Sequence, residues 1–194
     1  GIAFDNLLLN EEIIKTQEDL INRLGNAVES RSKESGNHIK RMSEFCFILA
    51  HELGLSDNDC DVLKQATPMH DVGKISIPDS ILLKSGRLTD DEMMIMKQHS
   101  ELGFDILAGS ERPILNAAAI IAQQHHEKFD GTGYPAGLKG EEIHMFARIV
   151  AVADVFDALI HKRCYKQPWA LDNILALFKK ETNKHFDPDV IAAF

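Results

Sequence analysis

Five histidines and two aspartates interrupt helix-period apolar stripes along this 194-residue chain: His38, His70, Asp71, His99, His125, His126 and Asp154. A face that carries an imidazole or carboxylate among Leu and Ala must pair or ligate it, because an uncompensated buried charge costs at least several kcal/mol. Such stripes restrict the folds open to the chain to those in which these groups meet one another or a cation. Five segments marked in this way point to one shared cation site.

From His38, the positions Met42, Phe45, Cys46, Leu49 and Leu53 recur every three or four residues, so the imidazole opens the inward face of a helix. His70 closes the stripe of Leu63 and Ala66. Thr89-Asp90-Asp91-Glu92 has the form of a capping box and predicts one helix from 89 to 107, with an inner face of Ile95, His99, Leu102, Gly103 and Ile106. Pro113 suits the first turn of the next helix. Two neighbouring stripes, Ile114-Ala118-Ile121-His125 and Leu115-Ala118-Ala122-His126, bring both histidines to its end. In the fifth segment Ala147, Val150, Ala151, Asp154 and Ala158 share a face, which predicts a carboxylate buried among small apolar side chains.

A single histidine on an apolar stripe is usually a core residue bonded to a carbonyl, and a lone His-Asp pair says little. The joint pattern says more. Neutral imidazole nitrogen and carboxylate oxygen suit first-row cations such as iron, manganese, nickel, cobalt or zinc, and the core of a helical bundle is a common place to gather them.

Strand signals are poor throughout, so the expected fold class is all-α, a helical bundle. Leu171 to Lys180 has helical pattern, and Phe186-Asp187-Pro188 opens a last short helix. The stretch from Phe129 to Gly140 holds four glycines and Pro135, which is turn chemistry rather than helix. A net charge of -9 and the lack of a basic stripe argue against a DNA or RNA polymer as partner. Three cysteines without paired spacing argue against a disulfide framework and for the cytoplasm. No apolar run reaches the roughly 18 residues of a membrane span. Near the start, Ile13, Leu20 and Ala27 recur by sevens, as do Ile14, Ile21 and Val28. Residues 1–28 therefore read as a helical connector or stalk ahead of a domain at 29–194. The stalk is a homodimer seam, a link from an upstream sensor or receiver domain, or a helix folded back on its own bundle.

His38, the His70-Asp71 pair and Asp154 resemble the signature of the HD phosphohydrolase superfamily. His99, His125-His126-Glu127 and Asp130-Gly131-Thr132-Gly133-Tyr134-Pro135 narrow the resemblance to the HD-GYP family of cyclic-dinucleotide phosphodiesterases. It covers roughly residues 30 to 194, through His70-Asp71-Val72-Gly73-Lys74-Ile75 and Ala153-Asp154-Val155-Phe156-Asp157-Ala158-Leu159.

The resemblance implies a Gly-Tyr-Pro loop on an HD-type bundle and two divalent metals bridged by Asp71, with iron or manganese favoured. It also implies that water activated between them attacks a phosphodiester; paired cations about 3.5 to 4 Å apart acidify water and clamp the attacking and leaving oxygens. Some members hold a third metal with a glutamate four residues before the first histidine. Glu34 stands there, although it also fits as a solvated residue in a polar stretch. The family places Lys74 beside the scissile phosphate, where the alternative is an exposed lysine at a helix end. Gly73 is expected to allow the sharp exit that turns Lys74 back. Arg163 and Lys166 resemble the family's phosphate contacts, and Tyr134 its ligand-facing tyrosine, a role compatible with packing the loop onto the bundle. The expected substrate is cyclic di-GMP, with cyclic GMP-AMP next. A catalytically weak module that binds a cyclic dinucleotide or a protein is the alternative of another class.

Overall fold

A largely buried helix organises the chain. In the computed structural model, which describes residues 2–32, 37–161 and 168–194, α8 (Met145–Ile160) carries an unbroken buried run from Ile149 to Ala153. A helix apolar all round belongs at the centre of a bundle rather than on its surface. The sequence predicts one apolar face for α8; from Ile149 to Ala153 apolar residues run right round the helix, and four helices pack against it.

Around α8 lie α2 (Asn37–Glu52), α7 (Pro113–Gln124), α9 (Leu171–Glu181) and α10 (Pro188–Ala193). The helix α3 (Asp57–Ala66) packs on α2 and α7, and α6 (His99–Leu107) packs on α7. The shared core includes Met42, Leu63, Ile121, Ile149, Ile174 and Phe178, each at most 1% exposed. Burial of side chains of this size contributes roughly 1.5–3 kcal/mol apiece. No strand occurs among the described residues, only an isolated bridge between Thr182 and Phe186. No described helix is long and apolar enough to cross a membrane.

Local chemistry sets the element ends. Gly54, at φ +76°, ends α2, and the Leu55 amide returns to Ala50 O. Ser56 caps α3 by accepting from the Asp59 amide, and Asp187 caps α10 by accepting from that of Asp189. At its other end α3 tightens into a 3-10 turn over Thr67–Met69, where Pro68 has no amide to continue the α-helix. A second 3-10 turn, Val72–Ser76, follows His70 and Asp71 and leads to α4 (Asp79–Leu82).

The single helix predicted from 89 to 107 is two. Thr89 and Glu92 do form a capping box on α5 (Asp90–Lys97), but Gln98 breaks the helix before α6. The Met96 carbonyl, which a continuous helix gives to the amide of residue 100, lies 2.7 Å from His99 Nδ1. The break rephases the faces. His99, Ser100, Gly103 and Leu107 turn inward, whereas Ile95 and Ile106 are 37% and 49% exposed.

At the N-terminal end, α1 (Ile2–Arg31) runs unbroken through residue 28, and its last turns dock on the bundle. Gly25 lies so close to the Pro68 carbonyl that a Cβ there would sit 2.5 Å from it. Further up the helix, Leu9, Ile13, Leu20 and Leu24 are exposed.

Candidate metal centre

Three histidines reach the interior with the same ring nitrogen tied down. His70 Nδ1 lies 3.0 Å from Thr67 O, His99 Nδ1 2.7 Å from Met96 O, and His125 Nδ1 3.0 and 3.1 Å from the carbonyls of Ile121 and Ala122. A carbonyl only accepts, so Nδ1 carries a proton and Nε2 is the atom turned inward, with a lone pair to offer whenever the ring is neutral. His38, in the first turn of α2, is fixed by a carboxylate instead. Its Nδ1 lies 2.6 Å from Asp157 Oδ2, and Arg41 donates to both Asp157 oxygens at 2.6 and 2.9 Å.

The inward nitrogens converge on Asp71. His70 Nε2 is 3.2 Å from Asp71 Oδ2, while His99 Nε2 and His125 Nε2 are 3.3 and 3.8 Å from Oδ1. These three nitrogens and Asp71 Oδ1 are buried without a hydrogen bond. Lone pairs facing a carboxylate repel it unless a positive charge lies between them, so this donor set fits a divalent cation. The ligand atoms of Asp71, His99, His125 and His126 lie within 4.8 Å of one another, as do those of Glu29, His38 and His70.

Electrostatics favours the same conclusion. Burial pushes His125 down to about 3 and also lowers His99, keeping both imidazoles neutral and able to ligate. Burial likewise holds His126 well below its ordinary value, with the neighbouring histidines adding to the effect. Burial opposes a charge on His70 too, but the Asp71 carboxylate overrides it and raises His70 to about 9. A proton there occupies the place a cation would take. Burial would raise Asp71, yet Lys74 and His70 hold it well below the usual carboxylate range.

The remaining sequence candidates fall at the rim or beyond the described residues. Asp154 is not buried as its stripe suggests: its side chain is 25% exposed, with Oδ1 3.9 Å from His38 Nε2. The face of α8 that is closed at Val150 opens onto the site one turn later. Lys74 Nζ reaches Asp71 Oδ2 at 2.5 Å with its side chain 16% exposed, so it faces the cluster rather than solvent. Gly73 has no positive φ; a Cβ there would lie 1.9 Å from His99 O, so close packing against α6 requires the glycine. Glu34, Arg163 and Lys166 lie outside the described residues.

The Gly-rich loop is fastened from within. Glu127 is 2% exposed and accepts from the amides of Ala136 and Gly137 with Oε1 and of Leu138 with Oε2. Tyr134 stacks on His126 at 4.8 Å between ring centroids, and Lys97 Nζ lies 5.0 Å from the Tyr134 centroid. One side of the histidine cluster thus has an aromatic wall.

An HD domain family model matches residues 21–190. The chain belongs to the HD domain family. This HD domain is 45% identical over 191 residues to the 3'3'-cGAMP-specific phosphodiesterase 2 of Vibrio cholerae, covering 98% of the chain and 37% of that protein. It is 44% identical over 182 residues to the cyclic di-GMP phosphodiesterase response regulator RpfG of Xanthomonas campestris pv. campestris, covering 94% and 48%. The chain therefore spans less than half the length of these curated relatives. Its fold resembles that of Bd1817, an HDG"Y"P protein from Bdellovibrio bacteriovorus, with a TM-score of 0.64 at 20% identity over 97% of this chain and 65% of that one. The all-helical HD-GYP architecture expected from the sequence is the one observed.

Two residues of this HD domain carry more weight than their sequence context suggests. Glu29 enters the cluster from α1, and its only signal is its place beside Val28, one turn after Gly25. Asp157, one turn after Asp154, orients His38 instead of facing the Asp71 cluster. Replacing Asp157 with alanine is expected to weaken metal binding roughly 10–100-fold by releasing the His38 ring. Metal titration of the variant by calorimetry checks this, and unchanged affinity would remove Asp157 from the site.

Proposed function

We propose that this HD domain hydrolyses a phosphodiester bond of a bacterial cyclic dinucleotide in a metal-dependent reaction. The product is the linear dinucleotide, with cleavage to mononucleotides as a further step. Cyclic di-GMP is the first substrate. The likeness to a 3'3'-cGAMP-specific enzyme favours cyclic GMP-AMP as the second. The observation that carries the reading is the meeting of the His70, His99 and His125 Nε2 atoms at the Asp71 carboxylate beside the Lys74 ammonium.

Two or three bound divalent cations, iron or manganese before nickel, cobalt or zinc, would supply an acidified water and neutralise phosphate charge. His38, His70, His99, His125, His126, Asp71 and Asp154 would hold them, with Glu34 as the candidate for a third. The chain's own part is preorganisation. Backbone carbonyls and Asp157 lock the imidazole orientations before a substrate arrives, so little reorganisation accompanies the reaction. Lys74 stands where an ammonium can stabilise negative charge growing on phosphate oxygens. Tyr134 offers a ring face to a base, and its burial, with Asp71 and Asp154 nearby, raises its hydroxyl above its ordinary value and keeps it a donor. Arg163 and Lys166 are proposed phosphate contacts, and an arginine fork fits two phosphate oxygens.

The exposed Leu9, Ile13, Leu20 and Leu24 support a role for α1 as a stalk, either a homodimer seam or a link to an upstream sensor or receiver domain. A cytoplasmic place agrees with the unpaired spacing of the cysteines.

The test offers both cyclic dinucleotides to the Mn- or Fe(II)-loaded chain and follows linear product by chromatography. Turnover abolished by a chelator and restored by metal is expected, faster on cyclic di-GMP. Metal-loaded protein that binds either ligand without forming product would instead identify a binding module.

A further inference from the structure

We propose that Glu29, in the last turn of α1, is a metal ligand that completes a cation position with His38 and His70. The proposal rests on the metal-dependent reading of the site and extends it to a helix which that reading treats as a connector.

Glu29 is 1% exposed, and its Oε1 lies 3.5 Å from His38 Nε2. One ligand atom from each of Glu29, His38 and His70 falls within 4.8 Å of the others. The hydrogen-bond geometry shows what such a group wants. Asp157 holds the His38 ring at Nδ1, so Nε2 is the ring atom turned toward Glu29 Oε1 at 3.5 Å and Asp154 Oδ1 at 3.9 Å. The Glu29 carboxylate and the ring nitrogens of His38 and His70 lie close enough for one cation placed between them to draw them together.

The helix end that bears Glu29 is held on both sides. Before it, Gly25 packs against the Pro68 carbonyl. After it, the Arg31 guanidinium donates to the carbonyls of Lys74, Ile75 and Ile77 at 3.2, 2.7 and 3.3 Å, and to Asp79 Oδ1 at 2.6 Å. Arg31 thereby ties α1 to the segment just after His70 and Asp71. The Glu29 carboxylate is presented by a fixed turn, as a ligand must be. Metal occupancy and the docking of α1 are then linked equilibria, since whatever displaces the helix end withdraws a donor.

The competing account is an ion triad in which His38 is doubly protonated and bridges Glu29 and Asp157 with no cation. The two differ in metal content. Wild type and Glu29→Gln are reconstituted anaerobically with Mn(II) or Fe(II), and bound equivalents are counted by elemental analysis alongside a binding isotherm. Wild type is expected to hold at least two equivalents. Glu29→Gln should lose one or bind it at least about tenfold more weakly while the Asp71 group keeps its own. Equal stoichiometry and affinity in the two proteins overturns the proposal and leaves the metal-dependent reading intact, whereas a wild type that binds no metal overturns both. Should Glu29→Gln fail to fold, anomalous diffraction from metal-loaded wild type decides: a metal peak in bonding contact with a Glu29 oxygen upholds the assignment, and its absence rejects it.

Discussion

Alanine at Asp71 is expected to lower turnover of the proposed cyclic dinucleotide substrate at least about 10³-fold, equivalent to roughly 4 kcal/mol of transition-state stabilisation. The size follows from how many groups depend on one carboxylate. His70, His99 and His125 all aim Nε2 at Asp71, and Lys74 Nζ bonds its Oδ2. Without the carboxylate, four donors or cationic groups face an empty space. A divalent ion would then be held by imidazoles alone, and Lys74 would lose the partner that aims its ammonium. Turnover and bound metal should fall together, measured on the same preparation by product chromatography and elemental analysis. Asp71→Asn keeps the shape and removes the charge, and it should fail almost as badly. Retention of more than about a tenth of wild-type turnover by either variant would contradict the assignment of Asp71.

Gly73→Ala should damage the fold as well as the site. The added Cβ would lie 1.9 Å from His99 O, 2.5 Å from the Gly103 amide nitrogen and 2.8 Å from the His99 carbonyl carbon. All three are backbone atoms, so no side chain can swing aside and the first turns of α6 must retreat. Overpacking against fixed backbone costs at least about 3 kcal/mol, which for a chain of this size lowers Tm by roughly 6–12 °C. Because His99 begins α6, the shift also draws its Nε2 away from Asp71. Thermal unfolding followed by circular dichroism measures the first effect, and metal content the second. A Tm within about 2 °C of wild type would mean that the helix and turn separate at little cost.

The sequence made the inward faces of α2 and α7 readable because their stripes are long and keep one phase. The same periodicity failed from 89 to 107, where a side chain competes for a backbone carbonyl at the Gln98 break and apolar spacing cannot register the change of phase. It also hid the depth of the site. Asp154 and Asp157 sit three residues apart on one helix, and only the positions of His38 and Arg41 decide which carboxylate faces the cluster and which holds a ring in place. Glu29 was less visible still: a single acid beside Val28 is indistinguishable from a solvated residue until α1 is seen to dock on the turn before His70. The close approach at Gly73 likewise depends on α6, a segment distant in sequence.

The carboxylate of Glu127 fastens three successive amides of the loop to the residue that follows His125 and His126. The glycine-rich stretch is therefore anchored to the helix end that bears the two histidines rather than hung from it. Ordering a free loop costs roughly 1–2 kcal/mol of backbone entropy per residue, an expense that falls on affinity when it comes due during association. Here that loss is incurred during folding, so an incoming molecule meets a wall already in shape.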